Sequence, residues 1–550
     1  MSFPEPLSSS VARLRARAPL PDSVDVAIVG AGPGGLTAAG YLTQLGLRTA
    51  VFDSHYVAGG CATQFSRGPK NQRYHFDIGL HYVGDCTPDG LIPKMLADIG
   101  VHVDFLEMDP DGFDTFVFPD FRFRVPANLD LYRQRLVDLF PSERRGIDRY
   151  VKLVQQVDRI GRTMANRGGK LSAVVVLEVL LFGRLLARYQ NATLGAFLDT
   201  VTQNPHLRAV IAGQNGDYGL PPSRVSVALH AGLAAHYFRG AYYPRGGGQV
   251  LADNIAAAVE SRGGTIHLRR GISQILVENG RAVGVRTEPR DGEIAEVRAK
   301  VVISNADLKR TMLELVPPAV LPTPALEKAK QYEMAAAIFL TCLGIKADLR
   351  ALGMQVTNYW QFDTYDMESL YRDANQKTTP EVGACYITSA TMKDPVNPHH
   401  APEGIYNVEV MTLVPGNPRL WGVEPGLADN WGYKRNDVYL RRKEEVENQM
   451  IERLNNLFPG SKDHIVFRES ATPVTHSRFT RATDGTGYGL AAIPSQFMKN
   501  RPSYRSPIPG LYFCGASTRA GHGIVGAMMS GKHAAAKVAA DLGLVFPDRR

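Results

Sequence analysis

The chain has 550 residues, of which 44% are hydrophobic and 21% are charged, proportions typical of a globular protein and not of a fibrous or disordered one. This length exceeds what one compact core supports, so we expect two or more domains. The formal net charge of +8 suits an anionic membrane surface, but the sequence contains no nucleic-acid-binding motif, so we expect no nucleic-acid partner.

Two features of the sequence bear on the cellular compartment. The cysteines are scattered without a CxxC spacing, which predicts neither a disulfide framework nor a zinc site, so we expect no metal and a reducing, cytoplasmic location. Residues 1–23 contain three arginines but no apolar segment of the kind that a secretory signal needs, which leaves a short organellar presequence open as the alternative. The cysteines are Cys61, Cys86, Cys342, Cys385 and Cys514.

The first predicted elements are a strand, a glycine turn, a helix and a second strand. An apolar strand enters a turn at Gly30 and Gly32, Gly35 lets the following helix pack closely, and the second strand ends at Asp53. Unpaired N–H groups at a helix N-terminus favour a pyrophosphate, and an acid at the end of the second strand accepts hydrogen bonds from ribose. This order of elements predicts a dinucleotide-binding site.

Downstream of this unit, apolar runs alternate with glycine-rich loops. The pair Asn279-Gly280 separates two alternating runs, which predicts a β-hairpin. The other expected elements are a loop at 59–63, a glycine turn at 242–248, a helix at 249–261, strands at 265–268, 272–278, 282–287, 301–306 and 510–516, and a small-residue helix at 526–542.

These elements predict an α/β fold in which a Rossmann-type nucleotide domain is built from discontinuous segments. The nucleotide domain is expected to comprise 22–110, 241–319 and 471–545. The stretches 111–240 and 320–470 are richer in aromatic and apolar residues and contain no phosphate-type loop. They are predicted to form an inserted α+β substrate domain.

The run from 171 to 187 is the most apolar segment of the chain. Glu178 and Arg184 interrupt it, so a membrane span would be costly. Three interpretations are left open: a buried core helix, one wall of a lipid tunnel, or a helix that lies in the bilayer interface. The last would place the protein peripherally at an anionic membrane surface.

Two further patterns are set aside. Residues 526–533 mimic a P-loop but end in His533, where magnesium binding requires Ser or Thr. The pair His399-His400 lies in a Pro- and Asn-containing stretch without spaced metal-ligand partners, so we expect a solvated turn.

Several motifs together resemble a known family. They lie at 30–53, 59–63, 76–84, 243–247 and 472–476, and they are similar to the phytoene desaturase, carotenoid isomerase and retinol saturase superfamily of flavoproteins. The segment 76–84 and the residues around His230 and His236 most resemble the retinol saturase-like members. The matching motifs are spread over nearly the whole chain.

This resemblance implies bound FAD, with its ribose at Asp53 and its pyrophosphate along the glycine loops. Many relatives carry an acid where this chain has Ala516, which puts a side-chain bond to the FAD ribitol in doubt. Relatives also often carry a cation where this chain has Cys61. The implied FAD-binding residues are Gly30, Gly32, Gly34, Gly35, Asp53, Gly59, Gly60, Cys61, Thr63, Ile272, Gly515, Ala516, Gly523, Val525 and Gly526.

The implied activity is saturation, desaturation or isomerisation of carbon–carbon double bonds in a long apolar lipid, such as a retinoid, a carotenoid or an unsaturated fatty acyl chain. Adding or removing two hydrogens also requires a proton donor or acceptor. The candidates for that role, each with a packing role as the alternative, are His81, Tyr82, His230, His236 and Tyr243.

Other functions are left open. One is an amine-oxidase-type flavoenzyme, and another is a flavin-bearing protein that binds lipid without turnover. Because the sequence contains one dinucleotide fingerprint and no second nicotinamide domain, the electron donor or acceptor is unknown.

Overall fold

The computed structural model describes residues 14–69, 72–165, 173–376, 381–424 and 431–547. Within these ranges the strands are β1 Ser23–Val29, β2 Thr49–Asp53, β3 Gln64–Arg67, β4 Tyr74–Asp77, β5 Val83–Gly84, β6 Phe105–Glu107, β7 Asp114–Val117, β8 Arg122–Val125, β9 Ala241–Pro244, β10 Thr265–Leu268, β11 Ile272–Glu278, β12 Arg281–Thr287, β13 Glu296–Ser304, β14 Ala337–Ile345, β15 Asn358–Phe362, β16 Ala384–Thr388, β17 Tyr406–Val414, β18 Ile465–Ala471 and β19 Leu511–Phe513.

The α-helices that lie wholly within the described ranges are α1 Pro33–Gln44, α2 Leu91–Asp98, α3 Leu129–Leu139, α4 Arg144–Ala165, α5 Ala173–Phe182, α6 Arg184–Tyr189, α7 Leu194–Leu198, α8 Pro205–Ile211, α9 Val227–Tyr237, α10 Gly248–Ser261, α11 Leu308–Arg310, α12 Thr323–Gln331, α13 Met367–Gln376, α14 Ala390–Lys393, α15 Asp437–Leu457, α16 Pro473–Thr480 and α17 Gly523–Asp541. Short 3-10 turns include Gly60–Ala62 and Asn215–Asp217.

The first sheet has the strand arrangement of a nucleotide-binding layer. Its order is β10-β2-β1-β13-β12-β11, with β19 beside the carboxyl half of β13. Strands β10, β2, β1, β13 and β19 are parallel, whereas β11 and β12 form an antiparallel hairpin. Strand β1 is buried except at Ser23, as expected for a central parallel strand covered on both faces. The carboxyl ends of β1, β13 and β19 therefore meet at one edge, where open α/β sheets bind ligands.

The second sheet is mixed and carries the other large core. Its order is β18-β14-β17-β16-β15-β7-β8, and β15 and β7 form its parallel pair. Helices α4 and α9 pack against each other beside it, and residues of both join the same buried cluster as residues of β7 and β15. The predicted α/β fold with an inserted α+β region is confirmed, while the exact domain boundaries stay a prediction.

The hairpin expected at Asn279-Gly280 is confirmed. Both residues have positive φ, 48° at Asn279 and 74° at Gly280, as the tight turn between β11 and β12 requires.

The apolar run around α5 is not a buried core helix. Val175 is buried, but Val174, Val176, Leu177, Leu180, Leu181 and Phe182 are exposed, with Leu180 at 70%. Residues 166–172 lie outside the described part of the chain, so the beginning of the run is not assigned. The interpretation of this segment as core is therefore wrong for most of its described length.

Among the described residues, no helix is both long and apolar enough to cross a membrane.

Helix α17 approaches α1 closely because of a glycine. A Cβ placed on Gly531 would lie 2.1 Å from the carbonyl oxygen of Gly34 and 3.0 Å from the backbone nitrogen of Ala38. Residues 526–533, which resemble a P-loop in sequence, lie within this last helix. Its small residue Gly531 therefore serves the packing of the two helices.

We expect Gly531→Ala to lower the free energy of unfolding by about 1–3 kcal/mol, because the added methyl group overpacks a backbone contact. Thermal melting of purified protein measures this change. The control is Gly161→Ala in α4, where a Cβ meets nothing within 4 Å, so that variant should be neutral or gain up to about 1 kcal/mol. Equal midpoints for the two variants would contradict the packing role of Gly531.

Candidate functional site

A cavity of about 570 Å³ lies where the two glycine loops meet the second sheet. Gly34 of the N-terminal loop and Gly515 of the C-terminal loop line it, together with aromatic and apolar side chains of β14 to β17. Those side chains include Ile338, Trp360, Phe362, Tyr386 and Met411. The cavity therefore joins a nucleotide-type loop pair to a mainly apolar wall.

Two helix N-termini line this cavity. Helix α1 follows the N-cap Gly32, which has no side chain to cap the helix. Helix α17 follows the N-cap His522, whose side chain makes no capping hydrogen bond, and neither first turn contains an acidic residue. Unpaired N–H groups and the helix dipole attract negative charge at such ends. This donor set fits the pyrophosphate of a dinucleotide cofactor.

Asn305 connects the two glycine loops at the end of β13. Its Nδ2 donates to the carbonyl of Gly30 at 3.2 Å, and its Oδ1 accepts from the Cys514 thiol at 3.4 Å. A Cβ on Gly34 would lie 2.6 Å from that Oδ1, and one on Gly515 would lie 3.0 Å away. The glycines are required because both loops pack against one amide group.

Asp53, at the end of β2, has the position expected of a ribose acceptor. Its Oδ2 accepts the N–H of Ala31 at 2.7 Å, and its Oδ1 accepts the N–H of His55 at 2.7 Å. Each carboxylate oxygen has a second lone pair, so the fixed carboxylate can still accept hydroxyl groups. Its assignment to ribose remains a proposal.

The loop at Gly59 and Gly60 packs on the first glycine turn. Both glycines have positive φ, 131° and 55°, and the N–H of Gly59 donates to the carbonyl of Ala31 at 2.8 Å. The hydroxyl of Thr63 donates to the carbonyl of Gly60 at 2.8 Å. Thr63 thus stabilises the loop and does not line the cavity.

The remaining predicted cofactor residues lie in three settings. Gly35 allows close helix packing, since a Cβ there would lie 2.1 Å from the carbonyl oxygen of Gly30. Ile272 is buried in the core and does not line the cavity, so its contact with the cofactor stays a prediction. Those that line the cavity are Cys61, Ala516, Gly523, Val525 and Gly526.

Ala516 is held by a buried arginine. The Nη2 of Arg501 donates to the carbonyl of Ala516 at 2.7 Å and to that of Leu490 at 2.9 Å. Burial lowers the pKa of Arg501 to about 10. The loop at Ala516 is therefore fixed through its backbone.

His81 lines the cavity and belongs to a buried polar cluster. Its Nδ1 lies 3.1 Å from Oε2 of Glu409, and its Nε2 has no hydrogen-bond partner. The ammonium group of Lys393 donates to the carbonyl of His81 at 2.5 Å and to the hydroxyl of Thr388 at 2.7 Å. Burial lowers the pKa of Lys393 to about 8, so it is mainly charged at pH 7 and balances the carboxylate.

Tyr243 lies in the same cluster but not on the cavity wall. Its hydroxyl donates to Oδ2 of Asp77 at 2.5 Å, and the N–H of Gly248 donates to Oδ1 at 2.8 Å. Burial, reinforced by the charge of Glu409, raises the pKa of Asp77. The ligand atoms of Asp77, His81 and Glu409 lie within 4.8 Å of one another. The Asp77 carboxylate already accepts from Tyr243 and Gly248, and Glu409 is paired with His81, so no metal enters our proposals.

Tyr82 lines the cavity between two acidic groups. Its hydroxyl lies 2.7 Å from Oδ2 of Asp217 and 3.3 Å from Oδ2 of Asp114. Its ring stacks on Tyr237 with 4.4 Å between centroids. Burial raises its pKa well above the usual value, so Tyr82 stays a neutral phenol.

The two predicted histidines of α9 have different surroundings. His230 does not line the cavity; its Nε2 and Nδ1 lie 3.0 Å and 3.2 Å from the hydroxyl groups of Tyr150 and Tyr218, so it is a hydrogen-bonded core histidine. His236 does line the cavity, and its Nε2 accepts the N–H of Gly84 at 2.8 Å. Burial lowers the pKa of both to about 4, so both are neutral at pH 7.

The expectation of a solvated turn at His399-His400 is wrong for His400. That side chain is buried, and its Nε2 lies 3.1 Å from Oδ2 of Asp394, which also accepts the N–H of Gly246 at 2.9 Å. The histidine therefore supports the glycine turn before α10.

Several site residues were missed by the sequence reasoning. Asn305 follows a short apolar strand, and Asp114 and Asp217 are acids in aromatic-rich segments, a signal that could have been used. His476 and His522 line the cavity, and burial lowers their pKa values to about 4 and about 3. His476 lies in one of the recognised motifs, but nothing in the motif alone indicated a place beside the cavity.

Comparison with known proteins decides the family. Residues 33–387 and 427–539 match the family described as flavin containing amine oxidoreductase. The chain belongs to this family. Its cofactor is FAD, as the resemblance to flavoproteins implied, and it is an FAD-dependent oxidoreductase.

The chain is similar to two relatives in sequence and to one solved structure in fold. All-trans-retinol 13,14-reductase from Danio rerio is 28% identical over 90% of this chain and 83% of its own. Prolycopene isomerase 1 from an Oncidium hybrid cultivar is 26% identical over 95% of this chain and 85% of its own. A structure of putrescine oxidase is 15% identical, with a TM-score of 0.60, over 94% and 99% of the two chains. The predicted resemblance and fold class are confirmed.

We expect FAD to bind without a covalent link and to leave the protein on heat or acid denaturation, which absorption spectra of the supernatant measure. Gly32→Val should abolish FAD binding, since a Cβ there meets Asn305 Nδ2 at 2.9 Å and the side chain fills the approach to the pyrophosphate. Gly161→Val is the matched control and should keep its flavin. Yellow colour retained on the precipitated chain, or in the Gly32 variant, would contradict the assignment.

Proposed function

We propose that this flavoenzyme acts on carbon–carbon double bonds of a long polyene and saturates one of them. The observation that carries the proposal is the cavity itself, whose apolar and aromatic wall continues into the two FAD loops. An apolar chain laid along that wall would be out of water and beside the cofactor. The activities named for the retinol reductase and the prolycopene isomerase support a polyene substrate.

The division of work follows from the chemistry of saturation. Bound FAD, when reduced, supplies a hydride to carbon. The protein must exclude water, orient the chain and supply one proton to the neighbouring carbon. Of the predicted donors, His81, Tyr82 and His236 line the cavity, whereas His230 and Tyr243 are hydrogen-bonded behind the wall.

An amine substrate is the second candidate. The family name favours it, and aromatic residues border the cavity, among them Tyr82 and Tyr386. The likeness of this chain to putrescine oxidase, at 15% identity, supports the fold and not the substrate. The wall is also strongly apolar, so we place the polyene first.

A peripheral membrane position would deliver such a substrate. The exposed apolar face of α5 is followed by Arg184 and Arg188, both exposed. Apolar side chains that enter the headgroup boundary, together with basic residues beside anionic lipids, favour an interfacial helix. We therefore propose that α5 lies in the surface of an anionic membrane. The alternative, that this run forms one wall of a lipid tunnel, is not supported, because none of its described residues lines the cavity.

The reaction is tested with chemically reduced holoenzyme under anaerobic conditions. Retinol, a carotenoid precursor, an unsaturated fatty acid and putrescine are offered separately, and products are measured by mass spectrometry. We expect a product two hydrogens heavier from a polyene, with matching reoxidation of the flavin. A product that is lighter, or isomerised at unchanged mass, would contradict saturation, and oxidation of putrescine by oxidised enzyme without any change in lipids would contradict the polyene.

Membrane docking is tested by replacing Leu177 and Leu180 with Glu. We expect weaker sedimentation with anionic liposomes and an unchanged flavin spectrum, because both side chains are exposed and each charge must enter the interface. Ile294→Glu, at another exposed apolar side chain, is the control and should bind as before. Equal binding by all three proteins would contradict docking through α5.

A further inference from the structure

The hydroxyl of Tyr82 lies between two carboxyl groups but has one hydrogen to donate. It reaches Asp217 Oδ2 at 2.7 Å and Asp114 Oδ2 at 3.3 Å. If both carboxyls were ionised, one carboxylate oxygen would face a lone pair of the phenol oxygen, which is repulsive. A second proton, held by one of the carboxyls, gives each contact a donor and an acceptor. The three groups therefore favour two protons in total.

The surroundings of Asp114 and Asp217 also favour one proton shared by these two carboxyl groups. The hydrogen bonds described at Asp114 come from Tyr82, Gln214 and Asn358, which are all uncharged. Burial raises the pKa of Asp114 to about 6. Burial, followed by the charge of Asp114, raises the pKa of Asp217 to about 8. Because the two titrate together, the pair holds one proton at pH 7.

The groups that face the pair are mostly aromatic. The phenols of Tyr237, Tyr386 and Tyr488 are neighbours of Asp217; the first two residues are buried and Tyr488 is half-buried. Desolvation raises the pKa values of all three phenols far above neutrality. The cation Lys393 is connected to Asp114 by a chain of hydrogen bonds and also acts on it through its charge. In that chain the Lys393 Nζ donates to the Thr388 hydroxyl at 2.7 Å, the hydroxyl donates to Oδ1 of Asn358 at 2.8 Å, and the Asn358 amide donates to Asp114 at 3.0 Å.

Three further titratable groups lie near Asp217: His522, Tyr218 and Tyr371. His522, neutral because burial lowers its pKa to about 3, faces the backbone of Asp217. Tyr218 and Tyr371 also lie near Asp217 and are neutral phenols, since burial raises their pKa values. Because these neighbours are neutral, the proton stays on the carboxyl pair of Asp114 and Asp217.

The hydrogen-bonded series Asp114, Tyr82 and Asp217 borders the cavity at its Asp217 end. Asp217 and Tyr82 line the cavity, but Asp114 does not and is fully buried. Asp217 lies in the turn Asn215–Asp217, and all three residues of this turn line the cavity. A proton held on Asp114 can pass through the phenol by exchange along the two hydrogen bonds, and it leaves through Asp217.

His81 has a different partner. Its Nδ1 lies 3.1 Å from Oε2 of Glu409, and its Nε2 has no hydrogen-bond partner. Among the described residues, no hydrogen bond therefore connects this ring to Asp114, Tyr82 or Asp217.

We propose that Asp114, Tyr82 and Asp217 form a proton store in the cavity wall and that Asp217 is the catalytic acid of the saturation. This inference rests on the proposed function. The carbon–carbon π bond receives the hydride and its two electrons from reduced flavin at one carbon. At the other carbon a C–H bond forms as the O–H bond of Asp217 breaks, and the carboxylate left behind takes a proton from solvent before the next turnover.

The direct test compares holoenzyme with Asp217→Asn by infrared difference spectroscopy at pH 7. We expect a carbonyl band of a protonated carboxyl group in the wild type that is missing in the variant and that disappears as the pH is raised through about 8. This readout is independent of turnover. If the band is absent, Asp217 is ionised and the proposal is overturned; binding of putrescine by that ionised wild type would then favour a cation-recognition role.

Kinetics give the second readout, with reduced enzyme and the polyene that it saturates. Asp217→Asn should keep FAD and lose turnover by at least ~100-fold, the usual contribution of a general acid, and His81→Ala should lose less. In the wild type turnover falls as the pH rises through the pKa of Asp217, because the acid must be protonated. Asp114→Asn removes the like charge that raises this pKa, so the falling limb should move to lower pH.

The control is Asp98→Asn, which removes another buried carboxyl that accepts a tyrosine hydroxyl, that of Tyr41 at 2.7 Å, outside the cavity. It should change neither the infrared band nor turnover. Full turnover in Asp217→Asn with an unshifted pH profile overturns the acid role while leaving saturation intact. Absence of saturation in the wild type refutes the proposed function, and Asp217 then loses its role as acid even if the band is present.

Discussion

The arrangement of this protein depends on one close approach, in which both glycine loops pack on the side chain of Asn305. The amide bonds to the N-terminal loop through Gly30 and meets the C-terminal loop at Cys514. Side chains on Gly34 or Gly515 would collide with it. Because the two loops pack on this one side chain, the uncapped N-termini of α1 and α17 share one cavity, although about 490 residues of sequence lie between them. The anionic part of FAD can then be held by backbone groups from both ends of the chain.

The second sheet gives this binding site its chemistry. Its apolar and aromatic side chains keep water from the cavity. The same desolvation shifts the pKa values of the polar groups among them toward their uncharged forms. Lys393 stays close to the carboxylate of Glu409, so that cluster is balanced by charge. Asp114 and Asp217 have uncharged amide and phenol partners instead. Their negative charge is reduced because the pair of carboxyl groups retains one proton. The two clusters lie on the same wall and are joined through Thr388 and Asn358.

The FAD loops could be predicted from the sequence because their requirements are local. A strand, a turn at Gly30, a helix and an acid at Asp53 occupy fixed spacings, and Asn279-Gly280 determines its own turn. The cavity wall could not be predicted in this way, because its residues meet only through long-range packing. His230 and His236 lie six residues apart on one helix, yet only His236 faces the cavity. Apolarity also failed to separate a core helix from an exposed one, as α5 demonstrates, since burial depends on what packs against it.

The central claim is that FAD and a polyene share the cavity between the glycine loops and the wall that contains Tyr82 and Asp217. A crystal structure of the reduced holoenzyme with a bound, slowly reacting polyene tests it most directly. The claim predicts the flavin ring beside Gly515 and Ala516, with a double bond of the chain between the ring and the carboxyl group of Asp217. A polyene bound outside the cavity, or a chain whose double bonds lie away from Asp217, would contradict it.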